Sequence, residues 1–355
     1  MASLKEHYIR LRNQIIANPT FQRRTALFPL SRPVARHHAG KLFNMVTGYI
    51  ASQLVRACSE LEVLPMLAER PLTAAEVAQR CDLPLKSAET LLKAAASYDL
   101  AESLGDGRYA LGETGAALIG NASLKMMIRH HEVLYRDLAD PVAMLRAGQG
   151  AKLAAYWPYS DGDGEASDTY SDLMAETQPM IADQVLRVYN FGQHSHVLDI
   201  GGGAGAFLSA VGDAHPGTKL SLFDLPQVAV IGKDPRISAH GGSFKVDDLP
   251  QGADCISLIR ILHDHDDDVV RLLLKRAAAA LPPGGTLIIA EPMAETRSAK
   301  AMGHGYFGFY LLAMGSGRPR TADEYHTLLK EAGFASTREH KTPMPLICRV
   351  ISARV

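Results

Sequence analysis

A glycine-rich segment, Gly201-Gly202-Gly203-Ala204-Gly205, directly follows a short apolar run at Val197–Ile200 that predicts a buried strand. Glycines after a strand let the backbone approach a ligand closely, and the helix that follows favours polar or anionic groups. The pattern Gly201-x-Gly203-x-x-Ala206 fits a dinucleotide fingerprint, and Asp224 ends the next predicted strand, where a carboxylate can bind ribose hydroxyls. This spacing is almost equally compatible with binding of NAD, FAD or S-adenosylmethionine. The alternative to a cofactor site is a tight turn followed by a solvated aspartate.

Histidine and aspartate alternate in a second segment, His263-Asp264-His265-Asp266, which Asp267 and Asp268 extend. Such side chains can bind metal ions, but ligands crowded together in sequence rarely converge on one ion, and no distant ligand is evident. We therefore expect no metal site. The acidic residues are better explained as the start of a helix, whose N-terminus favours negative charge.

Aromatic and thioether side chains crowd a third segment, between residues 302 and 314. Side chains of these types build apolar, adaptable pockets, although any one of them could equally belong to ordinary core packing. As a group they predict a pocket for an apolar substrate, with Trp157, Tyr156 and Tyr159 as a further wall. The residues of the segment are Met302, His304, Tyr306, Phe307, Phe309, Tyr310 and Met314.

Strands and helices alternate around these segments from about His196 onward. The alternation predicts a parallel sheet with helices on both faces, and two successive strands at the end predict an antiparallel edge. The predicted strands are Val197–Ile200, Lys219–Phe223, Asp254–Arg260, Thr286–Ala290, Ser336–Glu339 and Leu346–Ala353, and helices include Val269–Leu281 and Thr321–Ala332.

Residues 45–115 carry a different pattern. Apolar residues from Ile50 to Leu67 recur with helical period, and a capping box at Thr73-Ala-Ala-Glu76 starts a short helix. Pro84 suits the first turn of another helix, and the turn Gly105-Asp106-Gly107 lies in a predicted hairpin. Helices followed by a hairpin are typical of a winged-helix domain.

Composition excludes several classes of protein. A chain of 355 residues predicts two domains, and 47% hydrophobic with 21% charged residues excludes a disordered chain, a collagen and a coiled coil. We find no apolar run of about 18 residues and no signal-peptide pattern, so we expect no membrane span and a cytoplasmic location. The cysteines share no metal spacing and indicate reduced thiols. They are Cys58, Cys81, Cys255 and Cys348.

The net charge of −1 is unevenly spread. Residues 1–41 hold eight basic residues and one acidic residue, which gives +7, whereas six basic and ten acidic residues over 45–115 give −4. The basic segment also contains apolar residues. It could lie on an anionic membrane surface, where a lipid-soluble substrate would reside. The alternative is a solvated arm that packs across a dimer partner.

Several motifs occur in one order over residues 45–355. They are Asp199-Ile-Gly-Gly-Gly, Phe223-Asp-Leu-Pro, Ile261-Leu-His-Asp and Leu281-Pro-Pro-Gly-Gly, with Glu291 after them. In this combination the chain resembles the plant-type, class I S-adenosylmethionine-dependent O-methyltransferases, whose winged-helix N-terminal domain dimerises. Local features resemble one bacterial branch more closely, the purple-bacterial hydroxyneurosporene and demethylspheroidene O-methyltransferases of carotenoid synthesis. These features are Tyr156-Trp-Pro-Tyr159, Gly242-Ser-Phe244, His263-Asp-His-Asp266 and the segment Tyr306–Arg320.

The resemblance implies a Rossmann-like class I methyltransferase domain, with a mostly parallel sheet and an antiparallel edge, joined to an α-helical winged-helix domain through which the chain forms a homodimer. We expect a basic N-terminal arm at 1–44, the dimerisation domain at 45–115, a helical connector that walls the substrate pocket at 116–190, and the S-adenosylmethionine-binding domain at 191–355.

The resemblance also implies the cofactor site. In the family a Gly-Gly-Asp-Met or Gly-Gly-Asp-Phe motif commonly lies at the adenine, whereas this chain has Gly241-Gly242-Ser243-Phe244. Ser243 can hydrogen-bond without being a charged acceptor, and Phe244 could stack on adenine. Arg260 lies near the position of a basic cofactor contact; the alternative is a solvated arginine. The predicted cofactor residues are Asp199, Gly201, Gly203, Asp224, Leu225, Ser243, Phe244 and Arg260.

By the same resemblance His263 is the general base and Glu291 orients it. An imidazole of pKa ~6.5 can take a hydroxyl proton near neutral pH, and the alternative is a strand-end histidine held by hydrogen bonds. A second family carboxylate falls in a Lys-Glu-Arg-Thr-like stretch, which here is Arg318-Pro319-Arg320-Thr321, so the base has one recognisable carboxylate partner. A tertiary alcohol is far less acidic than a phenol, and its proton loss would have to accompany methyl transfer.

The chain is therefore predicted to methylate a hydroxyl of an apolar substrate, and the resemblance implies a tertiary hydroxyl of an acyclic carotenoid. Alternatives are O- or C-methylation of a phenolic polyketide, a phenazine or a chlorophyll-type ring. A DNA-binding regulator would need basic charge on its winged helix, but residues 45–115 are acidic, so we expect no nucleic-acid partner. The late position of the glycine loop and the antiparallel edge argue against a nicotinamide dehydrogenase.

Overall fold

A computed structural model describes residues 3–150, 152–156, 177–229, 234–297 and 299–355. Contacts within the chain divide it into two units, Met1–Gly120 and Asn121–Val355. The predicted wall residues Trp157 and Tyr159 lie outside the described residues.

The first unit begins with helices that bury little of their surface. They are α1 (Leu4–Ala17), α2 (Pro19–Leu27), α3 (Arg32–Glu60) and α4 (Val63–Glu69). Neither α1 nor α2 has a buried residue, and in α3 the buried residues are Leu54 and Cys58. The predicted arm is thus helical, and α3 continues without a break through residues 44 and 45.

A small antiparallel sheet completes the first unit. Its strands lie in the order β1-β3-β2. The capping box of Thr73 and Glu76 and the hairpin around residues 105–107 are confirmed. The two-residue strand β1 was not predicted, because it is too short to show a period. The elements are β1 (Leu72–Thr73), α5 (Ala74–Arg80), α6 (Leu85–Ser97), β2 (Ala101–Ser103), β3 (Arg108–Leu111) and α7 (Glu113–Ile119).

Apolar side chains are exposed along α1, α2 and the first half of α3. A contiguous apolar surface of this kind usually marks an interaction site. The largest exposures there, between 63% and 92%, belong to Leu4, Tyr8, Leu27, Leu30, Leu42, Phe43, Met45, Val46 and Tyr49.

The second unit begins with helices and continues into a seven-stranded sheet in the order β6-β5-β4-β7-β8-β10-β9. The helices before the sheet are α8 (Ala122–Leu138), α9 (Pro141–Ala147), α10 (Leu153–Tyr156) and α11 (177–188). The elements that follow are β4 (His196–Ile200), α12 (Ala206–Ala214), β5 (Lys219–Asp224), α13 (Pro226–Ala229), β6 (Ile237–Gly241), β7 (Cys255–Ile259), α14 (Asp267–Ala280), β8 (Thr286–Glu291), α15 (Gly308–Met314), α16 (Ala322–Glu331), β9 (Ser336–His340) and β10 (Arg349–Arg354).

The predicted sheet is confirmed. Strands β6, β5, β4, β7 and β8 are parallel, whereas β10 is antiparallel to both β8 and β9. Strand β6 was not predicted, because it lies at the sheet edge and its residues from Ser238 to Gly241 are exposed and show no apolar alternation. One apolar cluster packs α14 and α16 on one face of the sheet, and a second packs α11 and α12 on the other.

Chain order reverses at β4, whose neighbours are β5 on one side and β7 on the other. In open parallel sheets the crevice beyond the carboxyl ends of the strands at such a reversal is where ligands bind. The glycine loop, Asp224, His263 and Glu291 all lie at these strand ends. Among the described residues, no helix is both long and apolar enough to cross a membrane.

Candidate functional site at the carboxyl ends of the strands

The glycine loop leaves β4 and enters α12 with several residues at positive φ. Gly203 has a φ of 60°, and a Cβ added to it would meet nothing within 4 Å. A Cβ on Gly202, in contrast, would lie 2.2 Å from Oδ2 of Asp199. The loop therefore needs glycine at 202 for close packing inward, while Gly203 faces open space.

Asp224 ties this loop to the end of β5. Its Oδ2 atom accepts the N–H of Gly203 at 2.8 Å, and its Oδ1 atom accepts the N–H of Leu225 at 2.7 Å. The side chain is buried, and burial raises the pKa of its carboxyl. Because each carboxylate oxygen has two lone pairs, Asp224 can accept further hydrogen bonds while it holds the loop.

Asp199 is a second buried carboxyl group, beneath the loop. Its Oδ1 atom accepts the hydroxyl of Ser257 at 2.6 Å. Its Oδ2 atom is buried and has no hydrogen-bond partner among the residues that the structure describes. Burial raises the pKa of Asp199 to about 7, with a smaller contribution from the charge of Asp224 and an opposing one from Ser257.

The turn after β6 brings Ser243 and Phe244 to the same crevice. The Ser243 N–H donates to Oδ2 of Asp247 at 2.8 Å, which orders the turn. The Phe244 ring is half-buried and meets the ring of His265 edge to face, with centroids 5.2 Å apart. Phe244 thus lies beside the segment that follows β7.

Arg260 directly follows β7 and lies in the left-handed region, at a φ of 59°. Its guanidinium donates to Oγ1 of Thr177 at 2.9 Å and to Oε1 of Gln178 at 2.7 Å. These bonds direct the side chain to α11.

His263 lies between two carboxylates. Its Nδ1 atom is 2.5 Å from Oε2 of Glu291, and its Nε2 atom is 3.1 Å from Oδ1 of Asp264. Glu291 is fully buried, and its other oxygen accepts the N–H groups of Ile261 and Leu262 at 3.0 and 2.7 Å. Glu291 therefore orients both the imidazole and the backbone that carries it.

Burial and neighbouring charge shift the pKa of the His263 imidazole in opposite directions. Burial by itself lowers the pKa of His263, but the charges of Asp264 and Glu291 outweigh it and the net pKa is raised. Burial raises the pKa of Asp264 to about 6, although the neighbouring His263 opposes that rise. The arrangement stabilises an imidazolium.

Arg320 binds the segment that carries His263, residues 262–267. Its side chain has no exposed surface and donates to the carbonyl oxygens of Leu262 and His265 at 2.6 and 2.8 Å. It also donates to Oδ1 of Asp267 at 2.6 Å. A buried guanidinium requires such partners, so the course of residues 262–267 depends on it.

Gly317 lies directly against the His263 backbone. Its φ is 80°, and a Cβ there would come 2.1 Å from the carbonyl oxygen of His263. The Arg318 N–H donates to that same oxygen at 3.0 Å, and the Ser316 hydroxyl donates to the carbonyl of Asp264 at 2.7 Å. Residues 316–320, called the strap below, thus hold the histidine segment in place.

The aromatic segment begins with a π-helical turn at Ala301–Phe307 and continues as α15. The Phe307 ring meets the imidazole of His263 edge to face at 5.9 Å, and Tyr306 packs on Phe307 at 4.9 Å. The Tyr306 hydroxyl lies 2.8 Å from Nε2 of His131. Turns of π-helix are frequent at functional sites.

The other predicted pocket residues differ from one another in burial and contacts. The hydroxyl of Tyr310 lies 2.7 Å from Nε2 of His130, and its ring is buried with Met314 in an apolar cluster. Met302 is half-buried, and Phe309 is 39% exposed. Within the described ranges, no three His, Cys, Asp or Glu side chains are placed to share a metal ion.

Comparison with known proteins agrees with this geometry. Residues 135–335 match the model of an O-methyltransferase domain, and residues 43–121 match that of an O-methyltransferase dimerisation domain. The chain is 41% identical to the demethylspheroidene O-methyltransferase of Rhodobacter capsulatus, over 92% of this chain and 84% of the relative. It is 39% identical to the protein of the same name from Cereibacter sphaeroides, over 97% and 94%.

A solved structure adds the fold and the cofactor. The human N-acetylserotonin methyltransferase in complex with S-adenosylmethionine has a TM-score of 0.76 and 26% identity, and the match covers 89% of this chain and 97% of that one. This chain belongs to the S-adenosylmethionine-dependent O-methyltransferases. Its dimerisation domain supports a homodimer.

The residues of this methyltransferase fit the cofactor. The buried Oδ2 atom of Asp199 lacks a partner among the described residues, and Gly203 faces open space where a ligand could approach the backbone. Asp224, at the end of β5, has lone pairs that can accept further hydrogen bonds. Together these features form a polar cradle between the glycine loop and the turn at Ser243.

Sequence reasoning missed three residues of the methyltransferase site. Asp264 was interpreted as part of a helix cap, although it contacts the imidazole directly. Gly317 and Arg320 were passed over because their stretch lacks the expected family carboxylate. The contacts of this stretch with the histidine segment join residues more than 50 positions apart, so no local sequence pattern reports them.

Proposed function

We propose that the methyltransferase transfers a methyl group to a tertiary hydroxyl of an acyclic carotenoid, with His263 taking the hydroxyl proton. The observation that carries the catalytic part is the imidazole of His263 between the carboxylates of Glu291 and Asp264, beside the rings of the aromatic segment.

The two nitrogens of His263 have different roles in this proposal. Nδ1 faces Glu291, so Nε2 is the atom that takes the proton. Asp264, 3.1 Å from Nε2, then stabilises the imidazolium. When bound, S-adenosylmethionine would supply an electrophilic methyl group on a sulfonium; the S–C bond breaks and sulfur leaves as a neutral thioether, which needs no acid. His263 receives the proton as the new O–C bond forms, because a tertiary alcohol is too weak an acid to ionise beforehand.

Cofactor binding is assigned to the residues around the glycine loop. Asp224 would accept the ribose hydroxyls, and the backbone of Gly201 and Gly203 would hold the cofactor. The adenine is proposed to lie between Leu225 and the Ser243–Phe244 turn, with Phe244 against its ring. Two further proposed contacts are Asp199, beneath the loop, and Arg260, whose guanidinium is held at Thr177 and Gln178.

The substrate assignment rests on the relatives and on the chemistry of the aromatic segment. Two relatives at 41% and 39% identity are named demethylspheroidene O-methyltransferases. The hydroxyls of Tyr306 and Tyr310 are bonded to His131 and His130, so these residues contribute ring surface more than free polar groups. Such a lining favours an extended apolar substrate.

A methyl-transfer assay tests the substrate. Purified protein and isotopically labelled S-adenosylmethionine are incubated with acyclic carotenoids that carry a tertiary hydroxyl and, separately, with a panel of phenols. Mass spectrometry should find label in a carotenoid ether. Label confined to phenols would reject the carotenoid assignment and favour a phenolic polyketide, phenazine or chlorophyll-type substrate.

We further propose a cytoplasmic protein whose residues 1–41 contact the inner membrane peripherally. The exposed apolar side chains of α1 and α2 and the charge of +7 on this segment suit an anionic bilayer surface. Co-sedimentation with anionic vesicles, but not with zwitterionic ones, is expected. Sedimentation with neither kind of vesicle would favour an arm that packs across a dimer partner, and equal sedimentation with both would reject the role of the basic charge.

A further inference from the structure

A second cleft, of about 500 Å³, lies far from the methyl-transfer site. Arg338 of β9, Arg354 of β10 and Thr286 of β8 line it, as do Asn190 and Gln193, which follow α11. Thr286 begins β8 and Glu291 ends it, so the cleft and the catalytic histidine are separated by about 17 Å of strand at ~3.3 Å per residue. We call this site the cationic cleft.

Strand register brings its two arginines together. Arg354 pairs with Ser336 and Ser352 pairs with Arg338, so the arginines are diagonal neighbours on one face of the sheet. Diagonal neighbours on adjacent strands lie about 7–8 Å apart, within reach of long side chains. Both guanidiniums can therefore contact one small ligand.

Neither arginine has a carboxylate partner among the described residues, and none of the residues that line the cleft is acidic. Two other arginines of this unit are paired with carboxylates: Arg349 binds Glu339 at 2.8 Å, and Arg187 binds Asp183 at 2.8 Å. Two uncompensated positive charges on one face repel each other, and an anion between them removes that repulsion.

The rest of the lining supplies neutral hydrogen-bond donors. Three residues with hydroxyls, Thr286, Ser336 and Ser352, line the cleft together with the amide residues Asn190 and Gln193. The Ser352 hydroxyl also lies 2.8 Å from Nε2 of His340. His340 also lines it, and burial together with the charge of Arg338 lowers its pKa, so the arginines carry the charge. Guanidinium forks surrounded by hydroxyl and amide donors match the several oxygens of a phosphate group.

We propose that the cationic cleft binds the phosphate group of a small molecule. It is a site separate from methyl transfer, at the opposite end of the sheet. The proposal does not depend on the identity of the methyl acceptor.

Titration with inorganic phosphate tests the site. Binding is followed by calorimetry on the full-length protein, with sodium chloride added to hold the ionic strength constant. Saturable binding is expected, and it should weaken by about tenfold or more in Arg338→Gln and in Arg354→Gln, as for loss of a charge-assisted hydrogen bond. Both side chains are exposed, and Arg338 on the edge strand provides the test should Arg354→Gln not fold.

Arg187→Gln is the matched control. It removes one positive charge from the helix beside the cleft, where Arg187 is 61% exposed and already paired with Asp183. It should bind phosphate as the wild type does. Equal weakening in the control, binding that does not saturate, or equal binding of acetate at the same ionic strength would overturn the proposal. Methyl-transfer activity should be unchanged in all three variants.

Discussion

The two sides of the methyl-transfer site are built in different ways. The central part of the proposed cofactor side, from β4 to Leu225, is one continuous stretch in which Asp224 bonds the glycine loop that precedes it. The base side gathers His263, Glu291, Gly317 and Arg320 from separate segments. Bonds within this stretch join the glycine loop to Asp224, whereas the position of the base depends on residues far away in sequence. Each prediction below separates the two sides by measuring cofactor affinity and turnover independently.

The largest effect is expected from removal of the base. His263→Ala should lower kcat by ~10²–10⁴-fold, the usual contribution of a positioned base, and leave the Kd for S-adenosylmethionine unchanged. Steady-state kinetics and calorimetry measure the two quantities. His38→Ala, at an exposed histidine of α3, should change neither. Wild-type turnover in His263→Ala would reject the base role.

The strap should matter almost as much, although it touches no reacting atom. In Gly317→Ala the new Cβ would collide with the His263 carbonyl and displace the imidazole, and a displacement of 1 Å can cost ~10²-fold in kcat. Cofactor affinity should be retained. Gly315→Ala is the control, because Gly315 has the same φ of 80° but a Cβ there would meet the flexible side chain of Gln149. Equal losses in the two variants would show that backbone strain alone is responsible.

The cofactor side should give the converse result. Asp224→Ala removes a charged acceptor and loosens the glycine loop, so the Kd for S-adenosylmethionine should rise by about 10–100-fold, as for a hydrogen bond to a charged group. At saturating cofactor kcat should fall far less than in His263→Ala. Asp213→Ala, at a 73% exposed carboxylate, should leave the Kd unchanged. An unaltered Kd in Asp224→Ala would refute the ribose assignment.

The smallest effect is a shift in the pH profile. His263 acts as a base in its neutral form, so kcat/KM should rise with pH as the imidazole loses its proton, with a midpoint above the ordinary ~6.5 because the carboxylates raise its pKa. Asp264→Asn removes one of those charges and should move the midpoint to lower pH.

Asp268→Asn is the control for that shift, since it removes an exposed charge from the first turn of α14. Its midpoint should match the wild type. A midpoint that stays in place, or rises, in Asp264→Asn would show that Asp264 does not act on the imidazole.

The contrast between the two sides also explains which parts could be predicted. The glycine loop and Asp224 lie within one strand–helix–strand unit, and the capping box at Thr73 lies within four residues, so sequence spacing reports their geometry directly. The parallel sheet with an antiparallel edge followed from alternating strands and helices and from the closing pair of strands. Strand β6 and the two-residue β1 were not predicted, because neither shows a periodic pattern of apolar residues.

Only part of the base side could be predicted from the sequence. The spacing of residues in sequence cannot show that Asp264 turns back onto the ring of its neighbour, nor that Arg320 points inward at no exposure and bonds three groups of the histidine segment. A charged side chain in a sequence is expected at the surface, and burial becomes favourable only when the fold supplies its partners.

By itself the sequence determined most of the elements, the glycine loop and the residue types of the proposed base, because backbone geometry near glycine, caps and strand periods are local properties. The tertiary structure alone decided what surrounds His263: the second carboxylate, the strap and the aromatic edge of Phe307. It also placed Arg338 and Arg354 on one face of a sheet edge. These contacts join segments whose proximity depends on strand order and packing, and electrostatic interactions follow distance in space rather than separation along the chain.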